Sequence, residues 1–313
     1  MIKFKQIELS DKNEIDACFA GNAYRACDFS FTNLYAWNAK FKTVFAIDHK
    51  TIFLRFIDSD GQIYYMMPIG KMPLKDAFVK MMDDARENNI PFQMKGVTAR
   101  MWTKIKAEMS GYFDYFCDRD NDEYIYLSEK LIKLSGKKLQ SKRNHINRFK
   151  ADNPDWEYFP LTSYSELQEC LKMLDEWEDG NESKAPKSIR YDYIATKLML
   201  ENFDYLQLRG GALRVNGKVV AFTIGEPLTA DSFVVHVEKA FGDMNGAYTT
   251  INQQFIEHEA SEFKYINREE DMGLEYLRKA KMSYYPDILL QEGILKPKNR
   301  IANSIWKGWG DGI

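Results

Sequence analysis

Apolar residues recur along this chain with two periods, two and about 3.6, and the order of these rhythms occurs twice. In the first half, Phe4 to Leu9 alternates weakly and predicts a strand. Ser10 stands where an N-cap would precede a helix carrying Ile15, Cys18 and Phe19. FSFTNLYAWNAKF (29–41) predicts an aromatic-rich second helix. KTVFAIDH and TIFLRFIDSDGQIYYMMPIG predict strands, with Asp60-Gly61 as a hairpin turn. PLKDAFVKMMDDARENN (73–89) opens on proline and sets Ala77, Phe78, Met81 and Met82 on one helical face. IPFQMKGV predicts a strand, ARMWTKIKAEM a helix, and YFDYFCD with EYIYL two closing strands.

The second half repeats the order. WEYFPL (156–161) is a strand, followed by helices over 162–178 and 190–203. A meander follows through LQLRGGALRV, the Asn216-Gly217 turn, KVVAFTIGEPL and SFVVHVEKA. A helix over 246–260 presents Tyr248, Ile251 and Phe255 together. FKYIN, LEYLRKAKMS and ILLQEGILK complete a strand, a helix and a closing strand. Both halves read β-α-α-β-β-β-α-β-α-β. That order predicts an α/β fold of two tandem repeats, each a mixed twisted sheet with helices on both faces. The expected division is 1–127, a basic linker helix over 128–154, and 155–313, the last carrying the site.

Length agrees with two cores: 313 residues, 45% hydrophobic and 14% aromatic. A net charge of −3 argues against a protein that coats nucleic acid with its whole surface, yet leaves room for a local basic patch. Cys18, Cys27, Cys117 and Cys170 are scattered, which predicts reduced thiols and no metal site. No run approaches eighteen apolar residues, and MIKFKQIELSDKNEI has no apolar core of a signal peptide. A cytoplasmic location without a transmembrane segment is the expectation.

The element order is similar to the GNAT (acyl-CoA N-acyltransferase) topology used twice. FSFTNLYAW at 29–37, GKKLQSKRNHINRF at 136–149 and YINREEDMGLEYLRKAKMSYYP at 265–286 sharpen it. With them the chain, from about residue 20 to 297, resembles the phosphatidylglycerol lysyltransferase C-terminal-domain family. Better-known members transfer an aminoacyl group from tRNA to a lipid behind a multi-span membrane region. The related Fem-type transferases place amino acids on cell-wall peptides. The resemblance implies an aminoacyl-tRNA donor, no tightly bound cofactor, and an amine or hydroxyl acceptor on a small molecule, peptide or lipid. Acyl-CoA as donor, or a non-catalytic ligand-binding role, are the alternatives.

Four stretches offer chemistry. Residues 129–150 hold eight Lys/Arg against the single acid Glu129. Lys142, Arg143, Asn144, His145 and Asn147 there are candidate tRNA contacts, against the simpler reading of a solvated helix packed by Leu139, Ile146 and Phe149. In the turn FGDMNGAYTT, Gly242, Asn245 and Gly246 are candidates for a donor's pyrophosphate at a helix N-terminus, although a capping turn explains the glycines equally well. Strand period two sets His236 and Glu238 on one face, as candidate proton acceptors or as an end-of-strand polar pair. The run Asn267, Arg268, Glu269, Glu270 and Asp271 follows a strand directly. Arg268 suits a carboxylate or phosphate, Glu269 or Asp271 an aminoacyl ammonium, and Arg278 and Lys281 add positive charge downstream; a salt-bridged helix entry is the alternative. Serine-elbow, Walker, HExxH and dinucleotide-loop patterns are missing from the sequence.

Overall fold

The computed structural model describes residues 2–180 and 187–298. The first sheet starts at β1 (Lys5–Gln6) and continues as the meander β2 (Val44–Asp48), β3 (Thr51–Ile57) and β4 (Ile63–Tyr65), with β5 (Ile69–Gly70) beside β3. Between β1 and β2 lie α1 (Lys12–Phe19), α2 (Phe31–Ala36) and α3 (Asn38–Phe41). Ser10 is not the expected N-cap; it lies inside a 3-10 turn, Leu9–Asp11, and α1 starts behind Asp11. The aromatic segment breaks at Trp37 into two helices instead of one. The amphipathic α4 (Leu74–Glu87) buries Ala77, Phe78, Met81 and Met82 and crosses to β6 (Met94–Thr98), parallel to β4. Then come α5 (Ala99–Glu108) and β7 (Phe113–Cys117).

The second set of elements follows β8 (Glu123–Leu127), α6 (Ser128–Lys133) and α7 (Gln140–Asp152). It comprises β9 (Glu157–Pro160), α8 (Tyr164–Asp179), α9 (Lys187–Glu201), α10 (Phe203–Leu206), β10 (Arg209–Val215), β11 (Lys218–Thr229) and β12 (Ser232–Ala240). Next are α11 (Ala247–Glu259), β13 (Tyr265–Asn267), α12 (Glu275–Met282), β14 (Ile288–Leu290) and β15 (Glu292–Pro297). Again a meander, β10 to β12, is followed by a helix and a parallel strand, β13. The fold is therefore α/β, two tandem GNAT-like repeats with mixed sheets.

The repeats trade a strand. The first sheet runs β1-β2-β3-β4-β6-β15-β7, and the second β14-β8-β13-β12-β11-β10-β9. EYIYL, read from the sequence as closing the first repeat, is β8 and is inserted between β13 and β14 of the second sheet. ILLQEGILK, expected as one closing strand, divides at Gln291: β14 stays in the second sheet and β15 enters the first, between β6 and β7. The expected single basic helix over 128–154 is two. Leu134 takes a left-handed conformation (φ 47°), ending α6 six residues before α7 begins.

A shared core joins the repeats. Phe31 and Leu34 of α2 pack in one continuous cluster with Met199 and Leu200 of α9. Each such side chain contributes about 1.5–3 kcal/mol when buried, so parting the repeats costs a large share of a typical domain's stability. Fragments 2–127 and 128–298 are accordingly expected to lack sharp near-ultraviolet circular dichroism separately and to regain it on mixing. A natively folded 2–127 fragment, observed alone, is the result that contradicts this.

Candidate functional site

β12 and β13 pair only from Ser232 to Val234 against residues 265–267, and beyond that point they diverge. At the divergence β12 carries a bulge. Ile224 opposes Val237 and Gly225 opposes Val235, so His236 has no partner across β11. Gly225 is required there, because a Cβ would stand 2.2 Å from the Val234 carbonyl oxygen. The bulge reverses the parity of the strand. Before it, Phe233 and Val235 cluster with Phe255 of α11; after it, Glu238 and Ala240 face α11. Val237 and Lys239 turn to α8 and α9, where Lys239 meets Asp192. The expected common face for His236 and Glu238 is thus corrected: His236 points away from α11, and Glu238 points towards it.

The loop after β13 crosses the gap and sends successive side chains to different places. Asn267 is fully buried and donates to the Arg25 carbonyl (2.7 Å) and to Glu123. Its own oxygen accepts the Glu269 N–H (2.7 Å), which holds Glu269 at φ 57°, a strained value for a non-glycine residue. Arg268 turns to the α11 side and pairs with Glu238 at 2.9 Å, its guanidinium 4.9 Å from the Tyr284 ring centre. Asn252 of α11 holds the other oxygen of Glu238 at 2.7 Å. The Nη1 of Arg268 is buried with no hydrogen-bond partner. Glu269 turns the other way, to His236, and Glu270 lines a chamber beside it.

Asp271, Arg278 and Lys281 are occupied within the fold. Asp271 is fully buried and bonds Arg278 (2.8 Å), Tyr124 (2.5 Å) and Arg119 (3.4 Å). Lys281 donates to the carbonyls of Arg268 (2.6 Å) and Glu270, which locks the loop. These three build the site's frame.

His236 lies between two acids, with Nδ1 2.7 Å from Glu269 and Nε2 3.0 Å from Glu226. Burial by itself lowers the pKa of the imidazole, but the bonds to Glu226 and Glu269 outweigh it and raise the value to about 10. His236 is therefore an imidazolium at neutral pH, a charged strut more than a free base.

On the α11 side, Lys142 of α7 stands 4.1 Å from the Tyr284 ring centre. Burial, and then the charge of Arg268, lower its pKa to about 8 against the pull of Glu238. Arg143 caps α6 through the carbonyls of Leu134 and Gly136 (2.8 Å to the latter), so its guanidinium serves the helix break. Asn144, His145 and Asn147 are exposed, and His145 meets Asn245 at 3.1 Å. Gly246 is left-handed (φ 85°), and a Cβ there would stand 2.2 Å from the His145 carbonyl oxygen. Close packing of α7 on the start of α11 accounts for this glycine; Gly242 has open space around it.

The chamber next to Glu270 contains residues that the motif reading missed. Asp28, Asp58, Glu123 and Glu292 line it with Glu269 and Glu270, facing Lys40 and Lys95 and the rings of Trp37, Phe41 and Phe56. Burial first, then the charges of Glu270 and Glu269, raise Asp28 to about 7. Burial also holds Glu123 and Glu292 well above the usual carboxylate range. A signal existed: Glu123 and Glu292 each stand against apolar strand residues, where an acid seldom goes unless it is used.

Against known proteins, the family model described as "Phosphatidylglycerol lysyltransferase, C-terminal" matches residues 20–292. A conserved protein of unknown function from Bacteroides thetaiotaomicron is 41% identical, with a TM-score of 0.89 over 95% of this chain and 100% of that one. L-PGS from Bacillus licheniformis shares the fold at a TM-score of 0.64 and 13% identity, over 93% of each chain. An uncharacterised protein of Mycoplasmoides gallisepticum is 22% identical over 62% of this chain, a match spanning 61% of that relative. Among the described residues, no helix is long and apolar enough to cross a membrane.

Two outcomes test this electrostatic picture. The chain has four histidines, so a 15N-histidine spectrum is readily assigned by substitution. The His236 nitrogens are expected to keep imidazolium shifts beyond pH 8, and Glu226→Gln to lower that midpoint by at least one unit. For Asp28, a folded-state value above the unfolded one means that the folded state binds the extra proton. Its contribution to stability is then present below about pH 4 and is lost as pH rises towards 7, at up to about 1.4 kcal/mol per pH unit. Asp28→Asn is expected to flatten the denaturant-measured slope between pH 5 and 7 by about one proton; an unchanged slope contradicts it.

Proposed function

This chain belongs to the family of phosphatidylglycerol lysyltransferase C-terminal domains, and we propose that it transfers an aminoacyl group from aminoacyl-tRNA to an amine or hydroxyl acceptor. The observation that carries this reading is the buried, unpartnered Nη1 of Arg268 beneath the basic helix α7. A buried donor without an acceptor costs about 1–3 kcal/mol, and an ester carbonyl developing negative charge is the acceptor that relieves it. Glu238, itself held by Asn252, orients the guanidinium. Lys137 and Lys138 are exposed on the approach to α7, where a phosphate backbone meets cations.

On this reading the donor lies on the α7 side, its 3′ ester carbonyl facing Arg268. The acceptor attacks the carbonyl carbon directly. The tetrahedral oxyanion collects the Arg268 hydrogen bond, and the bond to the ribose oxygen breaks. Lys142, titrating near 8, exchanges a proton with the ribose oxygen or with the incoming nucleophile. The ester is already activated, so the reaction needs no covalent enzyme intermediate. His236 and Glu269 brace the opposite side of the loop and keep Arg268 in place.

Binding of bulk aminoacyl-tRNA, uncharged tRNA and acetyl-CoA at two salt concentrations tests the donor. Charged tRNA is expected to bind selectively and to weaken steeply with salt, and Lys138→Ala to reduce the salt slope by about one. Arg268→Ala is expected to lower transfer by about 100-fold or more while tRNA affinity changes little. Stabilisation by acetyl-CoA alone would move the donor to the acyl-CoA class.

A further inference from the structure

The chamber on the far side of the loop from Arg268 has a cavity of about 100 Å³ and walls of two kinds. Trp37, Phe41 and Phe56 give aromatic faces, and six carboxyl groups line the rest. Only part of this acidity is met by fixed cations. Lys95 neutralises Asp58 at 2.5 Å, and His236 neutralises Glu269. Glu123 is met by neutral donors, the Cys27 N–H (3.1 Å) and the Asn267 amide. Lys40 lies over the aromatic wall, 4.5 Å from the Phe41 ring centre, and Lys281 is committed to backbone carbonyls. The nearby cations are fewer than the six acids, and the raised values of Asp28, Glu123 and Glu292 show that protons make up the difference; a bound cation can take the place of those protons. Glu292 is 3% exposed, its carboxyl interacts with that of Glu123, and its Oε1 is left without a hydrogen-bond partner, free to accept from a ligand.

Buried carboxylates beside aromatic faces suit an organic cation, which gains charge-assisted hydrogen bonds from the first and cation–π attraction from the second. An anionic group meets repulsion from the same walls. We propose that this chamber is the acceptor site and that the acceptor is a small primary amine, bound as its ammonium among Asp28, Glu270 and Glu292. That the amine is an acceptor rests on the transfer reading above; that the chamber binds a cation does not.

The chemistry balances with the donor already named. The ammonium gives one proton to the Glu270 carboxylate and becomes a free amine. Its nitrogen attacks the ester carbon, so a carbon–nitrogen bond forms while the bond from that carbon to the ribose oxygen breaks. The second amine proton ends on the ribose oxygen, and the Glu270 proton returns to solvent. The products are an amide and deacylated tRNA. Arg268 and Glu270 are two residues apart on one loop, so transfer requires the amine to reach past that loop to the ester on the Arg268 side. Burial raises the Glu270 carboxyl, in keeping with its taking up a proton.

The test titrates the full-length protein with 1,4-diaminobutane, n-butylamine, glycerol and glycerol 3-phosphate, read by calorimetry and by the His236 imidazole shifts. Both amines are expected to bind saturably and to move the His236 signals, while glycerol and glycerol 3-phosphate leave them in place. Glu292→Gln and Glu270→Gln are each expected to weaken amine binding tenfold or more. Glu87→Gln, exposed at the end of α4 and outside the chamber, should not change it and controls for general charge. Incubation with aminoacyl-tRNA should then yield the amide, detected by mass. Glycerol 3-phosphate binding in preference to the amines, or amines that leave His236 unmoved, would overturn the site. Amines that bind but only compete with aminoacyl-tRNA, without becoming acylated, overturn the acceptor role and give the chamber to the donor's side chain. Amine binding with no transfer to any acceptor refutes the transfer reading and leaves the cation site standing.

Discussion

The side chain of Asn267 holds the two repeats and the candidate site in one arrangement. It sits at zero exposure where the repeats meet, and both its amide donors and its oxygen are engaged. The amide donates into the first repeat at Arg25 and to Glu123 on the exchanged strand β8, and the carbonyl fixes the Glu269 N–H. A side chain of similar size without both functions leaves the Arg25 carbonyl and the Glu269 N–H without these partners, at about 1–3 kcal/mol each, and Glu123 with the Cys27 N–H alone. The strained backbone at Glu269 persists because Asn267 on one side and Lys281 on the other determine it.

From that anchor the alternation of side chains along an extended segment does the sorting. Arg268 goes to the α7 side and Glu269 to the opposite side, so one loop separates a cationic surface from an acidic chamber. The bulge at His236 matches this on β12. Without the extra residue, His236 and Glu238 would share a face, and one of the two pairs across the gap, Glu238–Arg268 or His236–Glu269, would be lost. The gap between the diverging strands is therefore bridged by two ion pairs, one on each side. Buried pairs of this kind are costly to desolvate and add little net stability, which makes position the more natural reason for them.

Much of this was legible beforehand, and the omissions have physical causes. The repeat order, the meanders and both hairpin turns follow from periodicity and turn chemistry, which are local. The strand exchange is not local. EYIYL and EGILK carry the same apolar pattern whichever sheet receives them, so pattern alone assigns each to its own half. The bulge is hidden for a related reason: FVVHVEKA is nearly continuous in apolar residues, and a parity change leaves no mark without strict alternation. The motif 267–271 was recognised as a unit, but its members divide by role. Asp271 and Lys281 have the residue types of ligand contacts and are spent on the frame, a distinction that only their partners reveal. Asp28, Glu123 and Glu292 lie 95 or more residues apart in sequence and meet through the exchange itself, since Glu123 begins β8 and Glu292 begins β15.

That last point bears on why the repeats trade strands at all. In an unexchanged pair, β8 would close the first sheet and β15 the second, and their leading acids would lie in separate repeats. Reciprocal insertion brings both strands to the boundary with their first residues, Glu123 and Glu292, facing the same chamber. The modest net charge of the chain conceals this arrangement, because these acids are gathered inside while Lys133, Lys137, Lys138 and Arg148 are exposed. A field between a basic surface and an acidic interior, separated by one loop, guides an anionic carrier to one side and a cation to the other. The exchange thus does two physical jobs with one rearrangement. It makes the core common to both repeats, and it concentrates charge of one sign where no single repeat could bury it.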